Sequence, residues 1–123
     1  DLRIEYDKDY VYSIAFRYNP FAQNRSLGIP QPIHESYWIH FEGEIKEGYG
    51  KGTLTILAKG YCYLYITSNN TLIIDTTSKK YGRVKFAVIP DQDKKLLFVK
   101  TKKEFDKEDI RPASKKSLFI LHN

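Results

Sequence analysis

Apolar and polar residues alternate along most of this chain, in short runs separated by turn-forming residues. A period of two places successive side chains on opposite faces of a β-strand. The longest run covers residues 10–18, where Tyr10, Tyr12, Ile14, Phe16 and Tyr18 share one face. The same pattern predicts further strands over residues 2–6, 37–45, 53–58, 61–66, 71–75, 83–89, 95–101 and 117–122.

The segment 50–75 carries the clearest pattern, and we predict that the fold is organised around it. Here Cys62, Leu64 and Ile66 share one strand face, and Tyr61, Tyr63 and Tyr65 share the other. Lys59-Gly60 is predicted to be a short turn before this strand, and Ser68-Asn69-Asn70 a tight turn after it.

Two segments do not alternate. Residues 19–32 contain several helix- and strand-breaking residues and are predicted to form the longest loop, either a surface crossover or a binding edge carrying Phe21 and Arg25. Residues 102–116 are highly charged, and we predict one helical turn near 104–110.

Eight or nine short strands with turns between them predict an all-β fold, specifically an antiparallel β-sandwich with jelly-roll topology. The tyrosine-rich composition agrees with this prediction, because aromatic and β-branched residues suit a half-buried sheet. The length of 123 residues predicts one domain over 1–123. The chain begins at Asp1 and contains no Met, so we expect it to have been cut from a larger protein.

The row of Tyr61, Tyr63 and Tyr65 is the first candidate binding site. Alternate residues of a strand lie about 6.6 to 6.8 Å apart on one face, so three exposed rings could stack on sugars or bases. The alternative is that the row packs under another layer of the protein. Trp38 and Tyr49 are the further aromatic residues predicted to contact a ligand.

The positive charge is concentrated in the segment that begins at Lys94 and ends at Lys116. It holds nine Lys and Arg against four Asp and Glu, which equals the excess of +5 in the whole chain. A basic segment could contact phosphates, with Lys100, Lys102, Lys103 and Arg111 as the predicted basic surface. The alternative is a solvated edge of mixed charge.

Catalytic and metal chemistry find little support in the residue pattern. Glu42 and Glu44 are predicted to lie on one face of one strand, where they would not flank a scissile bond. His34, His40 and His122 are scattered, so we predict no metal site and no cofactor. Cys62 is alone, cannot form an internal disulfide, and is predicted to be a buried core thiol. No apolar run is long enough to span a membrane, and two glycosylation sequons, at Asn24 and Asn69, slightly favour an extracytoplasmic protein.

The strand and turn pattern from Tyr37 to Lys100 resembles the galactose-binding-like jelly-roll modules attached to many glycoside hydrolases. The resemblance rests on Tyr37-Trp38, residues 53–58, Gly60, Leu64-Tyr65-Ile66, Ile73-Ile74-Asp75, residues 81–88 and residues 95–99. The Asn-Gly turn of that family is replaced by Thr67-Ser68-Asn69-Asn70, and no sugar ligands are carried over. The resemblance implies a jelly-roll accessory module.

Together these observations predict a noncatalytic binding or accessory module, with carbohydrate as the favoured ligand class. One alternative is a nucleic-acid-binding β-domain that uses the basic segment. Another is a structural domain that packs against a neighbouring protein domain. The oligomeric state and the specific ligand are left open by the sequence.

Overall fold

The computed structural model describes residues 1–5, 10–32, 34–35, 43–45 and 52–123, and for 34–35, 43–45 and 52–54 it describes the backbone only. Within these ranges the chain is built from short strands and two 3₁₀ turns, at Pro20–Ala22 and Gln92–Lys94. The strands are β1 (Leu2–Glu5), β2 (Tyr10–Phe16), β3 (Arg25–Pro30), β4 (His34–Glu35), β5 (Gly43–Ile45), β6 (Gly52–Leu54), β7 (Ile56–Thr67), β8 (Leu72–Ser78), β9 (Gly82–Pro90), β10 (Leu96–Thr101), β11 (Ile110–Pro112) and β12 (Ser117–His122).

Eight of these strands form a closed antiparallel barrel. Its order is β1-β12-β7-β8-β9-β10-β3-β2, and β2 pairs back onto β1. Two short strands extend the barrel, β4 alongside β2 and β11 alongside β7, while β5 and β6 form a separate pair. Closure leaves the eight barrel strands without a free edge.

The prediction of an all-β antiparallel fold is confirmed, but a closed barrel replaces the predicted sandwich with jelly-roll topology. Two pairings between distant parts of the chain decide this: β3 pairs with β10, and β1 pairs with β12. Each joins an early strand to a late one, so the sheet has to curve back onto itself rather than split into two layers.

The inward side chains of the barrel form one core. They come from every strand of the barrel except β3, whose inward Gly28 leaves room for the side chains of Ile14 and Phe16. The fully buried members include Leu2, Ile74, Phe86, Phe98 and Phe119. The prediction that Cys62 lies in the core is confirmed, and on β9 the side chains of Phe86 and Val88 point inward.

One end of the barrel is closed by aromatic rings, and we call it the aromatic end. The side chain of Phe21, from the 3₁₀ turn Pro20–Ala22, is buried and stacks on Tyr81 with ring centroids 4.7 Å apart. It also lies 5.3 Å from the ring of Phe86 and 5.7 Å from that of Phe119. Asn19 holds the turn in place, since its Oδ1 accepts from the Phe21 N–H and its Nδ2 donates to the Tyr81 hydroxyl.

Part of the outer surface is buried as well, where β1, β2 and β12 lie side by side. Val11 and Ile120 point outward there, yet both are fully buried. Beside them the Arg3 guanidinium donates to Ser13 Oγ at 3.2 Å and lies 2.9 Å from His122 Nδ1. This side of the barrel is therefore not a solvent-facing surface.

Three local predictions are wrong. Residues 19–32 are not a continuous loop, because they contain β3, which fills the gap between β2 and β10. Lys59-Gly60 is not a turn but lies inside β7; a Cβ at Gly60 would collide with the backbone carbonyl of Thr77, so the glycine allows close strand approach. Residues 104–110 contain no helix, and the chain instead reaches β11 through an irregular segment with one hydrogen-bonded turn, in which the Asp109 N–H donates to the Asp106 carbonyl at 2.9 Å.

Most of the strand predicted over 37–45 lies outside the described residues, apart from β5. The same holds for Trp38, His40, Glu42 and Tyr49.

Candidate binding surfaces

The alternation of β7 places Tyr61, Tyr63 and Tyr65 on the outside of the barrel, opposite the buried thiol of Cys62. Tyr61 is 53% exposed and Tyr63 is 42% exposed, while Tyr65 is half-buried. The rings of Tyr63 and Tyr65 lie with centroids 6.4 Å apart and planes inclined by 28°. We call these three side chains the tyrosine surface. The alternative in which the whole row packs inside the monomer does not apply to Tyr61 and Tyr63.

Polar groups on β8 border the tyrosine surface. In the strand register Tyr61 lies opposite Thr77, and Tyr63 lies opposite Asp75. Asp75 accepts two hydrogen bonds from Arg83 on β9, at 3.2 Å to Nε and 2.9 Å to a terminal nitrogen. This pairing raises the pKa of Arg83 and fixes a planar, charged pair beside the rings.

Lys116 lies at the opposite border of the tyrosine surface. Its Nζ is 4.1 Å from the centroid of the Tyr61 ring, within the range of a cation–π contact. Exposed rings next to hydrogen-bonding side chains can hold a ligand that has both flat apolar faces and polar edges.

Of the four residues predicted to form a basic surface, Lys100 and Lys102 line one hollow, whereas Arg111 belongs to another strand, β11. Lys102 and Lys103 are exposed just after β10, and Arg111 is exposed on β11, where it lies opposite Ile66. Lys100 is half-buried, and its ammonium donates to the backbone carbonyl of Phe21.

A hollow of about 600 Å³ lies next to Lys102. Described residues that line it include Arg83, Lys85 and Glu104. The ammonium of Lys85 pairs with the Glu104 carboxylate at 3.1 Å, so part of its charge is compensated. The hollow still contains more cationic than anionic groups.

The end of the barrel opposite the aromatic end contains a cavity of about 1050 Å³, and we call this region the barrel mouth. Strands β1, β3 and β7 approach it with their carboxyl ends, and β2, β8, β10 and β12 begin there. Its wall is mainly aliphatic, with contributions from the side chains of Ile4, Ile14, Leu64, Leu72, Ile74 and Leu96. An eight-stranded barrel is wide enough either to be filled by side chains or to hold one small ligand.

The rim of the barrel mouth is charged. Lys115 and Lys116, in the connection between β11 and β12, are exposed and line the cavity, as does Glu5 at the end of β1. The hydroxyl of Ser117 donates to the carbonyl of Lys115 at 3.0 Å, which ties the connection to the start of β12. Lys116 belongs to both regions, since it lines the cavity and contacts Tyr61.

Sequence reasoning missed the barrel mouth because its wall residues have the same pattern as core residues. Leu64, Leu72 and Leu96 are apolar residues within predicted strands, like the residues at any buried strand position. Only their incomplete burial separates them from fully buried neighbours such as Ile74. No feature of the sequence reports that difference.

Cys62 is fully buried, as predicted, and its burial raises the pKa of the thiol to about 12, with smaller contributions from Glu5 and Asp75. Such a thiol is protonated at neutral pH and therefore unreactive. Within ranges 1–5, 10–32, 34–35, 43–45 and 52–123, no group of three or more His, Cys, Asp or Glu side chains could hold a metal ion.

None of the described parts of the chain forms a helix long and apolar enough to cross a membrane. Comparison with known proteins found no matching family model, no matching curated protein and no matching solved structure.

Proposed function

We propose that this domain is a noncatalytic binding module that holds carbohydrate on the tyrosine surface. The observation that carries the proposal is the solvent exposure of Tyr61 and Tyr63 on one strand face. The faces of sugar rings are apolar enough to stack on aromatic rings, while their hydroxyls need hydrogen-bonding partners at the edges.

The neighbouring side chains support this ligand class. The Asp75 carboxylate and the Arg83 guanidinium lie on one side of the rings, and Thr77 lies opposite Tyr61. Both charged groups can accept from or donate to sugar hydroxyls without losing their mutual contact.

The test is affinity electrophoresis through gels that contain soluble polysaccharides, with neutral galactan, xylan and β-glucan as the probes. We expect retardation by at least one of them. Tyr61→Ala and Tyr63→Ala should each weaken binding by roughly threefold to tenfold, the range of an aromatic contact. Raising the salt concentration should have little effect, because the contacts are not ionic.

Tyr18→Ala is the matched control, since Tyr18 is 66% exposed and lies outside the tyrosine surface. Equal loss in Tyr18→Ala and Tyr63→Ala would contradict the proposal, as would the absence of retardation by every polysaccharide.

Nucleic-acid binding is the second candidate, and the cationic excess at the hollow beside Lys102 favours it. Binding of this kind releases counterions and falls steeply as salt rises. Lys102→Glu combined with Lys103→Glu should abolish binding to a single-stranded oligonucleotide in a fluorescence anisotropy titration. Lys100 is left unchanged in this variant, because its ammonium is engaged with the Phe21 carbonyl.

Packing against a neighbouring protein domain is the third candidate. The outer face of β3, β10 and β9 carries an apolar row in which Leu97 lies between Leu27 and Ile89. Leu27 and Ile89 are exposed, and contiguous apolar surface of this kind often marks a protein interface. Leu27→Asp would weaken such an interface and leave both other candidates intact.

A further inference from the structure

The barrel mouth combines three properties that do not follow from forming a stable core. It is large, its wall is aliphatic, and its rim carries charge. Protein interiors are normally packed as densely as organic crystals, whereas this end of the barrel keeps a solvent-open volume of about 1050 Å³ beside its wall side chains. Binding pockets for small molecules have volumes of roughly 300 to 1,000 Å³, which matches this cavity.

Among the described residues, the cavity opens along the barrel axis at the mouth. At the far end the barrel is blocked by the ring of Phe21, packed between Tyr81 and the core phenylalanines. At the near end the strands terminate at the rim. A ligand therefore enters end-on and fits best when its apolar part leads.

The side chains of the wall determine which apolar group of a ligand fits the cavity. Leu64, Leu72 and Leu96 offer methyl and methylene groups and no side-chain hydrogen-bond donors or acceptors. A sugar placed against these leucines would lose the hydration of its hydroxyls without replacement, which is costly. An alkyl chain loses nothing and gains free energy from leaving water.

The charge of the rim determines which charge the ligand's head group should have. Among the described rim residues, two ammonium groups, on Lys115 and Lys116, stand against the single carboxylate of Glu5. The connection that bears both lysines is fixed by the Ser117 hydrogen bond to the Lys115 carbonyl. An anionic head group at the rim would lie next to this connection.

From these observations we propose that the barrel mouth is a binding site for a free, single-chain amphiphile with an anionic head group, such as an alkyl carboxylate. The alkyl chain lies along the barrel axis against the aliphatic wall, and the carboxylate lies at the rim beside Lys115 and Lys116. This site borders the tyrosine surface at Lys116, but the proposal does not depend on carbohydrate binding.

The test is isothermal titration calorimetry of the full chain with octanoate, decanoate and dodecanoate, each kept below its micelle concentration. We expect one molecule bound per chain. Affinity should rise by about fourfold for each added methylene, until the chain fills the cavity. Absence of binding by all three carboxylates would overturn the proposal.

Leu72→Phe tests the place of the alkyl chain, because the larger ring takes up part of the cavity. We expect the affinity for dodecanoate to fall by at least fourfold, which corresponds to one displaced methylene. Leu27→Phe makes the same change on the outer surface and should leave the affinity unchanged. Equal affinities in the two variants would overturn the proposed location.

Lys115→Gln and Lys116→Gln test the place of the head group. Each should lower the affinity for dodecanoate by roughly 1.5-fold to fivefold, the range for an exposed ion pair, and leave the affinity for dodecanol unchanged. Lys107→Gln is the matched control, since Lys107 is exposed on the same segment but does not line the cavity. Dodecyltrimethylammonium binding as tightly as dodecanoate would overturn the anionic preference.

A vesicle sedimentation experiment distinguishes binding of a free amphiphile from binding of an amphiphile held in a bilayer. The chain should stay in the supernatant when phosphatidylcholine vesicles containing phosphatidylglycerol are sedimented. Co-sedimentation that Lys115→Gln abolishes would assign the rim to a lipid surface and overturn the proposal.

Discussion

The two ends of the barrel are built from different side chains and have different packing. At the aromatic end, flat rings stack and leave no room, with Phe21 inserted from a 3₁₀ turn that Asn19 caps. At the barrel mouth the side chains are branched aliphatics, and no comparable insertion occurs among the described residues. The same closed sheet thus ends in a packed core on one side and in a cavity on the other.

This difference separates stability from binding within one small domain. A barrel closed by long-range strand pairing needs a well-packed region to hold its curvature, and the aromatic end supplies that region. The barrel mouth can then remain unfilled without loss of the fold. We therefore expect substitutions at the aromatic end to affect mainly the free energy of unfolding, and substitutions at the mouth to affect mainly ligand binding.

The largest expected effect is that of Phe21→Ala, which removes the ring that closes the aromatic end. Loss of a buried phenylalanine typically lowers the free energy of unfolding by about 3 to 5 kcal/mol. Urea unfolding followed by tyrosine fluorescence measures the change. Phe105→Ala is the control, because Phe105 is only half-buried, and its ring lies outside the barrel beside Lys85 and Lys103. Comparable losses in the two variants would show that the aromatic end is not the stabilising region.

The substitution Gly60→Ala comes next and tests how closely β7 approaches β8. An added methyl group would collide with the Thr77 carbonyl oxygen, which belongs to the backbone and cannot rotate away. We expect a loss of about 1 to 3 kcal/mol in the free energy of unfolding, the usual range for overpacking.

The matched substitution is Gly28→Ala, where the added methyl group would meet only side-chain atoms of Ile14 and Phe16. Ile14, the nearer of the two, lines the mouth and can shift toward its unfilled space, so the loss should be smaller. Thermal unfolding of both variants would decide the order, and a larger loss for Gly28→Ala would contradict this account.

Gly60 also shows which structural features the local sequence pattern does not predict. The alternation predicted β1, β2, β9 and residues 61–66 of β7, and it placed Cys62 in the core, because burial on one face of a strand imposes a local period. A glycine in such a pattern can indicate either a turn or a close approach between two strands. For Gly60, only the position of the Thr77 carbonyl shows that it is a close approach. The choice between them depends on long-range pairing.

The closed barrel and the mouth depend on long-range pairing even more. Alternation is the same in a sandwich and in a barrel, so closure cannot be read from it. Residues 25–30 contain Gly28 and Pro30 and therefore resemble a loop, yet they form β3 because Gly28 fits against Ile14 and Pro30 lies at the end of the strand. The tyrosine surface was predictable from its local pattern, but the wall of the mouth, including Leu64 and Leu96, was not.

Cys62 gives a prediction for pH, since it lies in the wall between the two ends and faces inward. Burial raises its folded-state pKa to about 12, above the ordinary value of 9.0 that applies to the unfolded chain. Its contribution to stability is therefore complete below pH 9 and is lost as pH rises from 9 toward 12. The loss is about 1.4 kcal/mol for each pH unit in that window.

The measurement is the free energy of unfolding against pH, in parallel for the native chain and Cys62→Ala. The alanine variant should be less stable at neutral pH, because it leaves a small cavity, but its stability should fall less steeply above pH 9. Parallel curves for the two proteins would show that the thiol is not desolvated.

The smallest expected effect is that of Leu72→Phe at the mouth, which is compared with the same leucine-to-phenylalanine change at Leu121. At the aromatic end Leu121 is only 2% exposed within a filled core, so Leu121→Phe should overpack it and lower the free energy of unfolding by about 1 to 3 kcal/mol. At the mouth Leu72 borders the cavity, where the larger ring gains contacts without displacing neighbours. Filling a cavity commonly stabilises a protein by about 0.5 to 2 kcal/mol, so Leu72→Phe should leave stability unchanged or raise it. Denaturant midpoints of both variants give the comparison, and equal losses would mean that the mouth is as tightly packed as the aromatic end.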